Sequence, residues 1–145
     1  MSVYKKQSGI TLIEVLLVIG LVSILAASAT PFLSRFIQQN NLEVTTDYTI
    51  GFLRKAQMYT MLGKNDAVWG VCITGSTLRL YTGTCSEPII HDDYTIPPRI
   101  SITGLTDVSF TKGRGEPVTP VSITITSDLG VNTMSLNTAG GMTIN

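Results

Sequence analysis

The sequence predicts an α+β chain. A long N-terminal α-helix, membrane-spanning in its first half, packs its second half on an antiparallel β-sheet head. Three observations lead there. Residues 10–29 form a twenty-residue run that is almost wholly apolar. Apolar residues then recur at helical spacing as far as Gly63. From Ala67 onward the period of the pattern falls to two.

Composition sets the frame. The chain has 145 residues, which fits one domain. Only 14% of its residues are charged, against roughly 25% in an average soluble domain, and the mean hydropathy is +0.29. Ten basic residues balance ten acidic ones, so the chain lacks the excess positive charge of a general nucleic-acid binder. The apolar content excludes ordinary disorder. Two cysteines and one histidine are too few for a four-thiolate zinc site or a disulfide-built miniprotein.

The first nine residues are polar and basic, with Lys5 and Lys6. Twenty helical residues after them would span ~30 Å, the thickness of a bilayer's hydrocarbon core. Basic residues before the span place the N-terminus in the cytoplasm and the rest of the chain outside. A cleaved secretory signal is the competing reading, with Ala26-Ala27-Ser28-Ala29 as its cleavage site. The length of the run argues against that reading. So does Glu14, because a carboxylate within a span costs several kcal/mol unless it is paired or neutralised. Nothing else in the run is charged, so either the partner of Glu14 comes from another chain or from a charge created by processing, or the carboxylate snorkels or is protonated at the membrane edge.

Small residues at Gly20, Ser23, Ala26, Ala27 and Ser28 permit close helix approach. Pro31 removes a backbone donor and predicts a kink or local melting. Beyond it, Phe32, Phe36, Ile37, Leu42 and Val44 lead into a stripe of Tyr48, Phe52, Ala56 and Tyr59. Gly63 is the expected stop, although Asn40-Asn41 is a candidate break. In the head, residues 68–73 and 77–82 read as a hairpin around Thr74-Gly75-Ser76. Further strands are expected at 99–102, 108–111, 121–126, 134–136 and 142–144. A head of about eighty residues holds a core only if the helix contributes to it.

The segment Gly9-Ile10-Thr11-Leu12-Ile13-Glu14 after a basic leader resembles the type IV pilin and type II secretion pseudopilin precursors. Pro31 also stands where many pilins have a proline. The all-β head is similar to that of the minor, H-type pseudopilins. The resemblance implies cleavage after Gly9 by a prepilin peptidase, which also methylates the new N-terminus at Ile10. In the family that position is usually Phe or Met. Cleavage removes Lys5 and Lys6, leaving eight basic side chains against ten acidic ones, and it supplies an amine. The Glu14 carboxylate of one subunit would then meet the Ile10 amine of the next and set the axial register. The implied parts are a leader at 1–9, a helix at 10–62 with its transmembrane and assembly segment at 10–30, and a head at 63–145. The implied partners are the peptidase and methyltransferase, other pilin or pseudopilin subunits, membrane lipid, and an inner-membrane platform with its ATPase. The implied location is the cytoplasmic membrane, then an extracellular or periplasmic filament.

Cys72 and Cys85 would lie in the oxidising compartment. A bridge between them is expected to add ~3 kcal/mol. The alternative is two free thiols, since a symmetric hairpin sets Cys72 opposite Arg79 or Leu80. His91-Asp92-Asp93 reads as a solvated loop rather than a cation site, and Lys112-Gly113-Arg114-Gly115 as a surface turn. No metal or cofactor is expected. No nucleophile, base and orienting group come together in the pattern, so an enzyme is disfavoured. A minor tip pilin that binds DNA or another ligand is the alternative function.

Overall fold

The computed structural model describes residues 10–144, and of residues 28–31 the backbone alone. One helix, α1, runs over Leu12–Met61. It begins at Thr11, whose hydroxyl accepts the Glu14 amide at 3.4 Å and whose carbonyl accepts the same amide at 3.1 Å. The helix assignment continues through position 31 and, as the apolar stripe implied, through Asn40-Asn41, so the candidate break at the asparagines is not there. Gly63 ends it with φ 62°, the left-handed conformation that a glycine adopts without penalty. Its amide closes on the Thr60 carbonyl at 3.2 Å.

The chain divides into two compact units between Phe36 and Ile37. The first holds the apolar part of α1, and every side chain from 10 to 27 is exposed. The second holds the rest of α1 and two four-stranded antiparallel sheets. The strands are β1 (Trp69–Thr74), β2 (Thr77–Gly83), β3 (Pro88–Thr95), β4 (Ser101–Thr103), β5 (Asp107–Ser109), β6 (Val121–Ser127), β7 (Gly130–Leu136) and β8 (Met142–Ile144). One sheet has the order β3-β2-β1-β5 and the other β4-β6-β7-β8.

Helix and sheets share one core. Leu42, Ile50, Phe52, Leu53 and Ala56 of α1 join Trp69, Val71, Leu78, Leu80, Val108, Phe110, Ile123, Ile125, Met134 and Leu136. A fully buried Leu or Phe contributes roughly 1.5–3 kcal/mol, so the helix supplies a large share of what stabilises the head. The contact face also carries buried threonines. Thr46 and Thr49 donate their hydroxyls to the carbonyls four residues back, each at 2.8 Å. Thr60 accepts the Trp69 amide at 2.9 Å. Each hydroxyl is satisfied, as burial requires.

Three expectations are corrected. His91-Asp92-Asp93 lies in a strand, β3, rather than a loop. It is an edge strand, where charged side chains are tolerated and discourage further pairing. Arg99 does not begin a strand. It sits in a turn over residues 97–100, closed by the Ile100 amide on the Pro97 carbonyl at 3.3 Å, and β4 starts at Ser101. β7 begins at Gly130 rather than at Met134, pairing along its whole length with β6.

Candidate functional site

The first turn of α1 is the candidate site. Leu12 begins a helix whose side chains in this unit make an uncovered apolar surface. Ile10, Glu14, Val15, Val18 and Ile19 line one groove of ≈ 260 Å³ on it. The Glu14 carboxylate is therefore bordered by aliphatic side chains. Thr11, part of the N-terminal motif, fixes the position of this turn. Thr11-Leu12-Ile13-Glu14 has the spacing of a capping box, in which a Thr hydroxyl accepts the amide three residues on. The pattern was legible in the sequence. A carboxylate in the first turn also faces the positive end of the helix dipole.

Farther along, Ser23 donates its hydroxyl to the Ile19 carbonyl at 2.7 Å, so it offers the apolar surface no unpaired donor. At Gly20, the place where a Cβ would stand is open space, which leaves a notch on the helix. By length and composition α1 is apolar enough to cross a membrane, and none of that stretch is buried. Gly9, Lys5 and Lys6 lie outside the described residues. The Pro31 side chain does too.

The head holds the remaining candidates. Cys72 and Cys85 form a disulfide. Cys72 does stand opposite Arg79 in the ladder, as a symmetric hairpin requires. Cys85 reaches it because the segment between β2 and β3 folds back over Arg79, whose Nη1 donates to the Cys85 carbonyl at 3.3 Å. The other two guanidinium contacts go to Asp93, Nε to Oδ1 at 2.7 Å and Nη2 to Oδ2 at 2.8 Å. These bonds hold the Asp93 carboxyl below its usual range. Asp92 points instead toward Lys55, at 3.7 Å. The two carboxylates of the His91-Asp92-Asp93 run thus diverge. Among the described residues no three His, Cys, Asp or Glu side chains are grouped to hold a metal.

Burial, with the hydrogen bond that Tyr81 donates to Asp107, pushes the Tyr81 hydroxyl well above its usual value. The ring lies over Gly70, where a Cβ would meet it at 2.8 Å. The basic loop is neutralised. Lys112 bonds to Asp66, and Arg114 stands 3.6 Å from Glu116. Gln57 ties two loops to the helix, donating its amide to the carbonyls of Gly115 at 2.8 Å and Gly140 at 3.2 Å.

Residues 4–30 match the family model of the prokaryotic N-terminal methylation motif. That match supports a type IV pilin or pseudopilin N-terminus. The match runs from residue 4 through Glu14 and the apolar first part of α1, and supports a pilin-like or pseudopilin-like processed subunit. No curated protein and no solved structure matches the chain. The α+β architecture, a long N-terminal helix followed by antiparallel sheets, is pilin-like. A pilin motif implies processing by a prepilin peptidase and assembly with other pilins. With the apolar helix, it suggests membrane anchoring followed by entry into a filament.

Proposed function

We propose that this chain is a structural subunit of a type IV pilus or type II secretion pseudopilus. Prepilin peptidase cuts after Gly9, and Ile10 becomes the methylated N-terminus. The mature chain rests in the cytoplasmic membrane with its amine on the cytoplasmic side and its head outside. An inner-membrane platform driven by an ATPase then moves it into the filament. Residues 1–9 are the leader, 10–62 the helix and 63–145 the head, with Pro31 the point where the helix yields as subunits pack.

The observation that carries this reading is Glu14, a carboxylate in the capped first turn of an uncovered apolar helix. Amid aliphatic side chains, an unpaired carboxylate is strongly penalised and an opposite charge strongly attracted. The amine released at Ile10 of a neighbouring copy supplies that charge. The pair acts chiefly through specificity, since only one axial register joins the two charges.

Intact-mass analysis of the membrane-extracted protein tests the reading. A start at Ile10 carrying one methyl group is expected, and a start at Met1 or near Thr30 refutes it. Glu14→Ala should remain processed and membrane-inserted but enter filaments poorly. Normal incorporation would remove Glu14 from the register role.

A further inference from the structure

Two surfaces of the second unit each carry an exposed charged group with no partner among the described residues. The first is the corner Pro97-Pro98-Arg99. Pro98 and Arg99 are the central residues of the turn closed by Ile100 and Pro97. Arg99 has φ 69°, so this is a type II turn, whose third position calls for glycine. An arginine there is strained, as Asn65 and Asp66 are at their positive φ, and strain of this kind persists where the surrounding structure fixes it and clusters at functional sites. Lys55, Arg79, Lys112 and Arg114 each face a carboxylate. The exposed Arg99 guanidinium has no partner among the described residues. Arg35 and Arg54 of α1 have none either, but Arg99 alone of the three stands in a turn at positive φ.

The second surface is an open notch of ≈ 290 Å³ on the outer side of α1, lined by Asp47, Tyr48, Gly51, Phe52 and Lys55. Nothing stands within 4 Å of where a Gly51 Cβ would be. The Tyr48 ring is held by stacking on Tyr94, centroids 4.1 Å apart. Lys55 is engaged by Asp92, while Asp47 is exposed and has no partner among the described residues. The notch thus offers an aromatic wall and an unpaired carboxylate. Prolines pack in aromatic-lined grooves, and a guanidinium pairs with a carboxylate through paired hydrogen bonds. Glu43 borders a different groove, with Leu42, Leu129 and Val131, that has no aromatic wall.

We propose that the Pro97-Pro98-Arg99 corner of one copy seats in the notch between Asp47 and Lys55 of a second copy, with Arg99 on Asp47. The contact joins two different surfaces. Where the rotation between copies does not close, such a contact repeats along a filament. The inference deepens the filament reading above and rests on it.

The test uses the full chain in a cell that assembles filaments. Arg99→Asp and Asp47→Arg should each lower the yield of sheared filaments about tenfold, because like charges then face each other across the contact. The double exchange should restore it. Arg99→Gly, which relieves the strained turn, should melt no lower than the parent and yet assemble poorly. Unchanged yield from both single variants, or no recovery in the double, overturns the contact.

A second measurement needs no filament. In membranes holding isotopically heavy and light copies, carbodiimide should join the amine introduced by Arg99→Lys to Asp47 between copies. Absence of that heavy-light peptide overturns the contact. Failure of the filament reading would show separately, as an N-terminus other than Ile10.

Discussion

Reducing the bridge between Cys72 and Cys85 should lower the melting temperature of the head by about 12 °C. The bond spans a sequence separation of 13. Closing a loop of that size restricts the unfolded chain by about 3 kcal/mol at 25 °C. For a domain near 100 residues, each kcal/mol moves the midpoint by roughly 4 °C. Reduction leaves both sulfurs in place, so the packing around the fully buried Cys72 changes little and the chain-entropy effect is isolated. Cys72→Ala with Cys85→Ala adds a small cavity and should fall slightly further. Trp69 is the only tryptophan and is 3% exposed, so its fluorescence in detergent follows the head alone. Melts with and without reductant then give the difference directly. A reduced protein melting within about 2 °C of the oxidised one would show that the bridge does not stabilise by constraining the unfolded chain.

Other perturbations act on named contacts. Gln57→Leu removes both loop ties and should cost about 2 kcal/mol, one for each bond, with faster amide exchange at Gly115 and Gly140 as the local readout. The Asp93 carboxyl is held low by its bonds to Arg79. Its stabilisation is therefore present above the usual carboxylate value of 3.8 and is lost as pH falls below it. Arg79→Lys should blunt that acid limb in denaturant titrations. The Tyr81 hydroxyl is raised above its usual 10.0, so stability is full below pH 10 and declines above it. Gly70→Ala drives a Cβ into that ring. It should cost about 1–3 kcal/mol and flatten the alkaline decline, both measurable by urea unfolding across pH.

The helix was legible because its two halves carry different signals. Residues 10–29 are recognisable by apolar length alone. Gly63 marks the stop through a conformation that few other residues adopt. Within the second half, the stripe through Phe52 and Ala56 identified the buried face, but Tyr48 on that stripe is half exposed. Thr45, Thr46, Thr49 and Thr60 are buried although they are polar by type. Their burial depends on carbonyls one turn back and on Trp69 and Tyr94, partners that sequence spacing does not display. β3 is hidden in the sequence because an edge strand needs no apolar alternation, and Asp92 and Asp93 read as solvent-facing until Lys55 and Arg79 are placed beside them. The sequence leaves the cysteine pairing open for a related reason. The ladder does set Cys72 against Arg79, and the bond follows from a backward fold of the loop that periodicity does not encode. In the first turn, Glu14 was conspicuous by its charge, whereas the capping role of Thr11 lay in a three-residue spacing beside it.

The sharing of α1 between anchor and core has a consequence for release of the head. Many membrane-tethered domains hang from a linker that a protease can cut without disturbing the fold. Here Leu42, Ile50, Phe52, Leu53 and Ala56 are helix and core at once. A cut anywhere among them removes apolar packing from the sheets, roughly 1.5–3 kcal/mol for each fully buried Leu or Phe lost. Only a cut upstream of Ile37 leaves the second unit whole. The molecule therefore has no severable neck within its head. Any excision that keeps the second unit whole carries the α1 residues from Ile37 onward with it.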